Sequence, residues 1–378
     1  MSEESYQKFI KKLKNWVLPP VDSDLLPEII KRRYTPEEAE LLSKLPMRGQ
    51  TAKQLSKIAS IPVEELEPIL DEMARKGLIY RYEEKKKVNY SIGTLMDSIY
   101  RMPWWLGQDE EWMVELSSLV NKYYIEGYGD LVMGYPTSPM RAIPINQTIN
   151  DDRKVMPYED ILKIVDDIEY FSVVHCSCRH RHNIDPNFEK SKYETWNCFH
   201  FNDLGRHVVR QGMGKEITKE ETLKIFKESA DAGLVHSIDN FSTETTTGVT
   251  SICNCSKDYC LFFEKIKMHP GVLSPRGQHT SNYYRAWEDE EKCIKCGLCA
   301  KRCPIEAIKF IEEEKKIIFD KERCIGCGVC VHKCPTEAIS LKHRGEPLEP
   351  HVKHPLEFLK KILEERGQDA IKVLKENM

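Results

Sequence analysis

Two stretches of the chain share one cysteine spacing. Residues 293–304 read CIKCGLCAKRCP and residues 324–335 read CIGCGVCVHKCP, each of them C-x2-C-x2-C-x3-C-P. The flanks repeat as well: KCIKCGLCAKRCPIEAIKF stands against RCIGCGVCVHKCPTEAISL. Each unit reads as a loop of three thiols and a fourth, Cys-Pro, that opens a short helix ending at Ala-Ile. The chain has fourteen cysteines in 378 residues: none before Cys176, six from Cys176 to Cys260 and eight from Cys293 to Cys334. Its opening, MSEESYQKFI, carries acid and lacks the apolar run of a secretory signal. Clustered thiols in a chain without such a signal point to metal, not disulfides.

The spacing has a physical reason. Three closely set thiolates wrap three irons of a cubane, and Gly297 and Gly328 let the backbone pass where a Cβ would crowd it. In two-cluster chains with this spacing the fourth cysteine ligates the other cluster. The expected sets are therefore Cys293, Cys296, Cys299 and Cys334 for one [4Fe–4S] cluster, and Cys324, Cys327, Cys330 and Cys303 for the other. Zinc knuckles take two C-x2–4-C pairs and need neither the duplicated Cys-Pro nor an exchanged ligand. Residues 286–342 resemble the bacterial two-cluster ferredoxin family, which implies a pseudo-twofold fold and one-electron transfer. The segment EEEKKIIFDKER is mixed in charge, so no acidic docking face stands out.

Residues 1–100 read differently. TPEEAELLSKL opens a helix with Thr35 as N-cap and Pro36 in its first turn. TAKQLSKIA is a short amphipathic helix. IPVEELEPILDEMARKGLI sets Val63, Leu66, Ile69, Leu70 and Met73 on one face, with Gly77 as its stop. LIYRYEEKKKVNYSI then reads as two strands joined by a charged hairpin. This order resembles the winged-helix domains of bacterial regulators, which implies DNA binding. The residues argue otherwise: the helix that would enter the groove presents Glu64, Glu65, Glu67, Asp71 and Glu72, which phosphates repel, and Pro68 interrupts it. The basic tip Lys85, Lys86 and Lys87 follows Glu83 and Glu84. Docking or dimerisation is the expected use.

Residues 101–285 hold the other six thiols. RMPWWLGQDEEWM concentrates Trp104, Trp105 and Trp112, read as packing at a domain junction. GYPTSPMRAIPINQTI has no periodicity and reads as a loop or arm. A helix from Tyr158 to Ile168 precedes an apolar strand, FSVV, that delivers HCSCRHRH. A helix opened by a Thr218–Glu221 capping box and stopped at Gly233 precedes a strand, VTSI, that delivers CNCSKDYC. In an extended segment i and i+2 point to one side. The pairs Cys176/Cys178 and Cys253/Cys255, brought together at two strand ends, would make a four-thiolate site. Cys198 or Cys260 would replace one member or stand by as a redox thiol. The candidate metal set is thus Cys176, Cys178, Cys198, Cys253, Cys255 and Cys260. Buried free cysteine, structural zinc and a Cys255/Cys260 thiol pair compete with an iron–sulfur centre, which is favoured beside the other clusters. His175, His180, His182 and His200 lie near in sequence, and Arg179 is placed to offset a cluster's negative charge.

The succession of winged helix, CSCR, GLVH, CNCSKDYC and ferredoxin resembles a family of ferredoxin-fusion iron–sulfur proteins of anaerobic bacteria and archaea, implying electron transfer. Ser256 and Tyr259 stand where that family's pattern has cysteines. The expected fold class is α+β and multidomain: a winged-helix-like domain (1–100), an α/β central Cys-rich domain (101–285), a two-cluster ferredoxin domain (286–342) and a helical extension (343–378). In that extension Leu356, Leu359, Ile362 and Leu363 form one apolar face, for the body of the protein or a second copy.

A net charge of −4 gives no general attraction to nucleic acid, and no apolar run spans a bilayer, so the cytoplasm is the expected location. No G-x-G-x-x-G or P-loop signals a nucleotide. The reading is an electron-transfer protein with two [4Fe–4S] clusters and a third Fe–S cluster or Zn, serving a partner oxidoreductase. An enzyme reducing a small molecule at the central cysteines and a redox-sensing winged-helix regulator are the alternatives.

Overall fold

The computed structural model describes residues 2–84, 86–134, 137, 140–145, 161–239, 249–268, 281, 284–343 and 355–376, in a mixed α+β architecture. Five helices lead: α1 (Ser2–Lys14), α2 (Leu25–Arg33), α3 (Pro36–Lys44), α4 (Ala52–Ala59) and α5 (Val63–Arg75). An antiparallel hairpin follows, β1 (Tyr80–Glu84) with β2 (Lys87–Ser91). Thr35 and Glu38 cap α3 reciprocally, as the sequence implies. Leu66, Leu70 and Met73 bury the inner face of α5, but Ile69 falls on its flank and is 42% exposed, with Ala74 completing the stripe instead. Lys86 and Lys87 are exposed at the hairpin tip, and Lys85 lies outside the described residues. The helices α1 and α2 belong to no sequence pattern noted above. They contribute Phe9, Ile29 and Ile30 to the same core.

Two π-helical turns, Met96–Arg101 and Tyr124–Tyr128, lie on either side of α6 (Glu111–Tyr123), and α7 (Gly129–Met133) follows. Trp104 and Trp105 are wholly buried, whereas Trp112 is partly exposed, so only the first two tryptophans pack the junction.

The central region runs β3 (Met140–Ala142), α8 (Ile161–Asp166), β4 (Phe171–His175), α9 (Ser177–Ile184), β5 (Trp196–Phe201), α10 (Asn202–Arg210), β6 (Lys215–Glu216), α11 (Lys219–Ala232), β7 (Val235–Asp239), β8 (Ser251–Cys255) and α12 (Leu261–Met268). Its strands form one six-stranded sheet in the order β3-β7-β8-β5-β4-β6, each pairing antiparallel. Period-two alternation sends Phe171, Val173, Phe199, Phe201 and Ile252 to the face covered by α8 and α11. It sends Val174, Cys198 and Cys253 to the other face, against Met102 and Trp105. The Thr218–Glu221 capping box and the left-handed Gly233 bound α11 as expected. The helix read from Tyr158 begins at Ile161 in the described residues, and most of the arm around β3 lies outside them.

Three expectations about strand ends change here. Cys253 and Cys255 lie on β8 itself, not beyond it. Cys176 caps α9 and Cys178 sits in that helix's first turn, so this pair is not extended. Nor do β4 and β8 adjoin, because β5 runs between them and carries Cys198.

Next come β9 (Tyr284–Glu288), α13 (Leu298–Arg302), β10 (Ile308–Ile311), β11 (Lys316–Phe319) and β12 (Ile339–His343). Here β10 pairs with β11 and β12 with β9. The Cys-Pro steps do not open helices: Glu306 and Glu337 take left-handed φ of 57° and 54°, which turns the chain toward β10 and β12. The apolar tail forms two helices, α14 (Pro355–Glu365) and α15 (Ala370–Glu376), separated at Gly367 (φ 68°). Phe358, Ile362 and Leu363 are buried in the N-terminal core, Leu359 packs against it, and Leu356 is 43% exposed. The Arg366 guanidinium donates to the carbonyls of Trp16 and Lys14. Among the described residues no helix is long and apolar enough to cross a membrane.

Candidate metal centres

The eight C-terminal cysteines line two small cavities. One is lined by Cys293, Cys296 and Cys299 of the first run together with Cys334 of the second. The other is lined by Cys324, Cys327 and Cys330 together with Cys303 of the first run. Backbone amides already point at the sulfurs: Ala307 N–H donates to Cys303 Sγ (3.2 Å), Ala338 N–H to Cys334 Sγ (3.3 Å) and Gly326 N–H to Cys324 Sγ (3.4 Å). Such donors favour thiolate over thiol. Burial pushes Cys299 up to about 11 and lifts Cys327 and Cys330 further. Their protons leave in exchange for a metal, not to water at neutral pH. Gly297 (φ 71°) and Gly328 (φ 76°) turn the loops in the left-handed region. The walls are apolar, with Ile305, Ile308, Phe319 and Ile325 in one cavity and Ile317, Leu298 and Ile339 in the other. An apolar, thiol-lined cavity of this kind fits a cubane cluster.

The six central cysteines also come together, by a different route. Cys198 on β5 and Cys253 on β8 are direct cross-strand partners. Cys255 follows on the same side of β8, hydrogen-bonded to Cys253 and to Cys260 at the start of α12. Cys176 bonds to Cys178, and Cys178 in turn neighbours Cys260. Cys176 lies close to Cys198 and Cys253. The thiols thus form a ring of neighbours, 176–178–260–255–253–198. Within it Cys253 is drawn below the usual thiol range by hydrogen bonds from Cys198 and Cys255, with help from Arg101. Cys176 is drawn down by Cys178 and by the guanidinium and backbone amide of Arg179. Among the described residues no three His, Cys, Asp or Glu side chains converge to hold a single ion, in this ring or in the C-terminal runs.

Three guanidiniums stand against the ring. Arg101, from the π-helical turn, lies beside Cys198 and Cys253 and over the Trp105 ring at 5.4 Å. Arg179 and Arg181, both 0% exposed, lie beside Cys176 and Cys178 respectively. Arg179 donates to the Asn254 carbonyl (3.0 Å) and the Asn197 amide oxygen. Arg181 donates to the Asn121 amide oxygen (2.6 Å) and the Tyr100 carbonyl (3.4 Å). None of those acceptors is charged. Among the described residues three buried N–H donors here find no partner: Nε of Arg179, Nη2 of Arg181 and Nε1 of Trp105. Buried donors are rarely left unmade, and cations are rarely buried without an anion. A polyanionic sulfur cluster would meet both demands.

Of the nearby histidines, three are engaged elsewhere and His200 stands against the ring. His175 Nδ1 is 2.7 Å from the Thr195 hydroxyl, and His180 lies between Asp109 and the Trp104 carbonyl, 2.9 Å from each. His182 stacks on Tyr259 at 4.5 Å. His200 Nε2 stands 4.0 Å from Cys198 Sγ, and burial holds its ring well below the ordinary histidine range. Arg101, Trp105 and Arg181 carried no motif, and only the fold brings them to the thiols.

A family model described as a 4Fe-4S dicluster domain matches residues 286–341. No curated protein and no solved structure matches the chain. The C-terminal segment is therefore a ferredoxin-like iron–sulfur domain with an electron-transfer role.

Proposed function

We propose that the chain carries two [4Fe–4S] clusters and a third iron–sulfur centre in the central thiol ring, and exchanges electrons with a partner oxidoreductase. The observation that supports this best is the lining of the two C-terminal cavities, three cysteines from one run and one from the other. Each cluster supplies a one-electron couple when bound. The chain's own contribution is to hold the thiolates, aim amides at their sulfurs and keep water away with isoleucines and a phenylalanine.

For the central ring, iron–sulfur is the better reading than zinc. A structural zinc draws four donors to within about 2.3 Å of one point. The ring sets six thiols around a perimeter instead, with two fully buried arginines beside it and, among the described residues, no partner for one N–H each of Arg179, Arg181 and Trp105.

The N-terminal helices and hairpin fit a winged-helix arrangement put to internal use. Its hairpin is covered by α10: His207 Nδ1 lies 3.0 Å from the Arg81 carbonyl and Arg210 pairs with Glu83 at 3.0 Å. Exposed Glu64, Glu65 and Glu67 line α5, where DNA would require cations. Scaffold and docking surface is the role that follows.

Anaerobic purification with iron, sulfide and zinc analysis tests the whole reading. About twelve irons per chain support three cubanes, and about eight leave the ring without one. Eight irons with one zinc would assign the ring to zinc.

A further inference from the structure

We propose that the two C-terminal cavities are unequal by position: that of Cys303, Cys324, Cys327 and Cys330 is an interior relay facing the central thiol ring, and that of Cys293, Cys296, Cys299 and Cys334 is the outward terminal. The inference rests on the reading above in that both cavities and the ring hold redox centres.

The inward cavity is walled in by the central domain. Cys324, Cys327 and Cys330 are each no more than 8% exposed. They share one contiguous buried core with Val329, with Ala230 at the end of α11, with Val235 of β7 and with Cys255 and Cys260 of the ring. Arg302 crosses the boundary. Its guanidinium donates to the Val329 carbonyl (3.0 Å) on one side, and to the carbonyls of Ala230 (2.9 Å) and Asp231 (3.1 Å) on the other. It stands beside Cys330 and Cys327. Asp231 ties the same edge again, to His332 Nε2 (2.8 Å) and Lys333 Nζ (2.6 Å). The Lys257 ammonium, from the loop between Cys255 and Cys260, donates to the Lys301 carbonyl (2.8 Å).

The outward cavity has the opposite character. Cys296 is exposed, Cys293 and Cys334 are half-buried, and Ile294 between the first two ligands is 63% exposed. Only Cys299 of this set is buried, and it is the one that approaches Cys330. Tunnelling and docking both favour short approach, so an external one-electron carrier meets the Cys296 edge. The ring exchanges with the Cys330 edge. One electron would pass from the reduced carrier, oxidised by one, to the centre held by Cys293, Cys296, Cys299 and Cys334, reduced by one, and from there by way of the Cys303, Cys324, Cys327 and Cys330 site to the ring centre.

The test uses the anaerobically purified, dithionite-reduced full chain and electron paramagnetic resonance. Cys296→Ser and Cys327→Ser assign the two ferredoxin signals, by a shift if serine ligates or by disappearance if the cluster is lost. A soluble dysprosium chelate then reports distance to solvent in the unmodified protein. The expected result is severalfold relief of microwave saturation for the Cys296-assigned signal and little for the Cys327-assigned one. Spin coupling to the ring centre should broaden the Cys327-assigned signal, and the Cys327 variant should remove that broadening from the ring signal. Equal or inverted dysprosium effects, or ring broadening that depends on Cys296, would overturn the order. A chain with about eight irons and two signals would instead overturn the third centre, and with it the relay, while the dysprosium result still reads inside from outside.

Discussion

Cys198 and Cys253 face each other as register partners on neighbouring antiparallel strands, and each also neighbours Cys176. One thiol from the middle of β5 thereby joins two cysteine pairs that are distant in sequence. Cys198→Ala opens the ring at that junction without touching the C-terminal cavities. Iron is expected to fall from about twelve to about eight per chain, with both ferredoxin signals retained. Metal analysis and EPR on the same preparation check it.

Arg179 sets its guanidinium beside Cys176 on one side of the ring. A unit charge about 6–8 Å away at an effective dielectric of about 20 is worth roughly 2–3 kcal/mol, or about 100 mV for one electron. Arg179→Gln should lower the midpoint potential of the ring centre by about that amount, because the reduced state loses a favourable charge. Arg179→Lys should recover part of the shift. A redox titration followed by EPR reads both, with the C-terminal clusters as internal controls.

Gly297 has φ 71°, and a Cβ built there would stand 2.6 Å from the Phe310 ring. The left-handed conformation alone costs a side chain about 1–2 kcal/mol. Gly297→Ala is expected to destabilise the first cysteine loop by at least that much and to speed iron loss from the Cys293/Cys296/Cys299/Cys334 cavity. Thermal melts and the rate of iron release to a chelator measure it, and an unchanged rate would show that the loop absorbs the clash.

His207 is buried between the hairpin and α10, against the Tyr80 ring and the Arg81 backbone, with Arg81 and Arg210 as its charged neighbours. Burial holds it down to about 4, against the upward pull of its hydrogen bond with the Arg81 backbone and with smaller help from those cations. In the unfolded chain it takes a proton near pH 6.5. Between the two values the unfolded state binds more protons, so stability falls as pH drops below 6.5, by about 1 kcal/mol per pH unit from this one residue. His207→Gln should flatten the decline by that amount. Anaerobic chemical denaturation at pH 7 and pH 5.5 provides the comparison.

The C-terminal thiols are legible in sequence because short-range spacing alone decides which can share a metal. Cys253 and Cys255 are legible for a similar reason, since alternation on a strand puts them on one side. Cys176 and Cys178 looked like the same case, but the chain turns into α9 at Cys176, and helix geometry replaces alternation. Cys198 is a lone thiol in sequence, and its place depends on β5 lying between β4 and β8, a long-range property of the sheet. Arg101 and Trp105 arrive from a π-helical turn and the segment after it, whose packing no local pattern encodes. The short helix expected after each Cys-Pro step failed on the left-handed Glu306 and Glu337, residues that seldom adopt that conformation.

The exchange of one cysteine between the two C-terminal runs also bears on how the protein is made. Cys293 emerges from the ribosome ahead of the other seven, yet its cavity closes only when Cys334 has been synthesised and folded back. The second cavity depends in the same way on Cys303, made before its three companions. Neither binding site exists on a nascent chain that stops between the runs. On the proposed ligand sets, metal delivery to this domain would be a late event, with the two sites maturing as a unit.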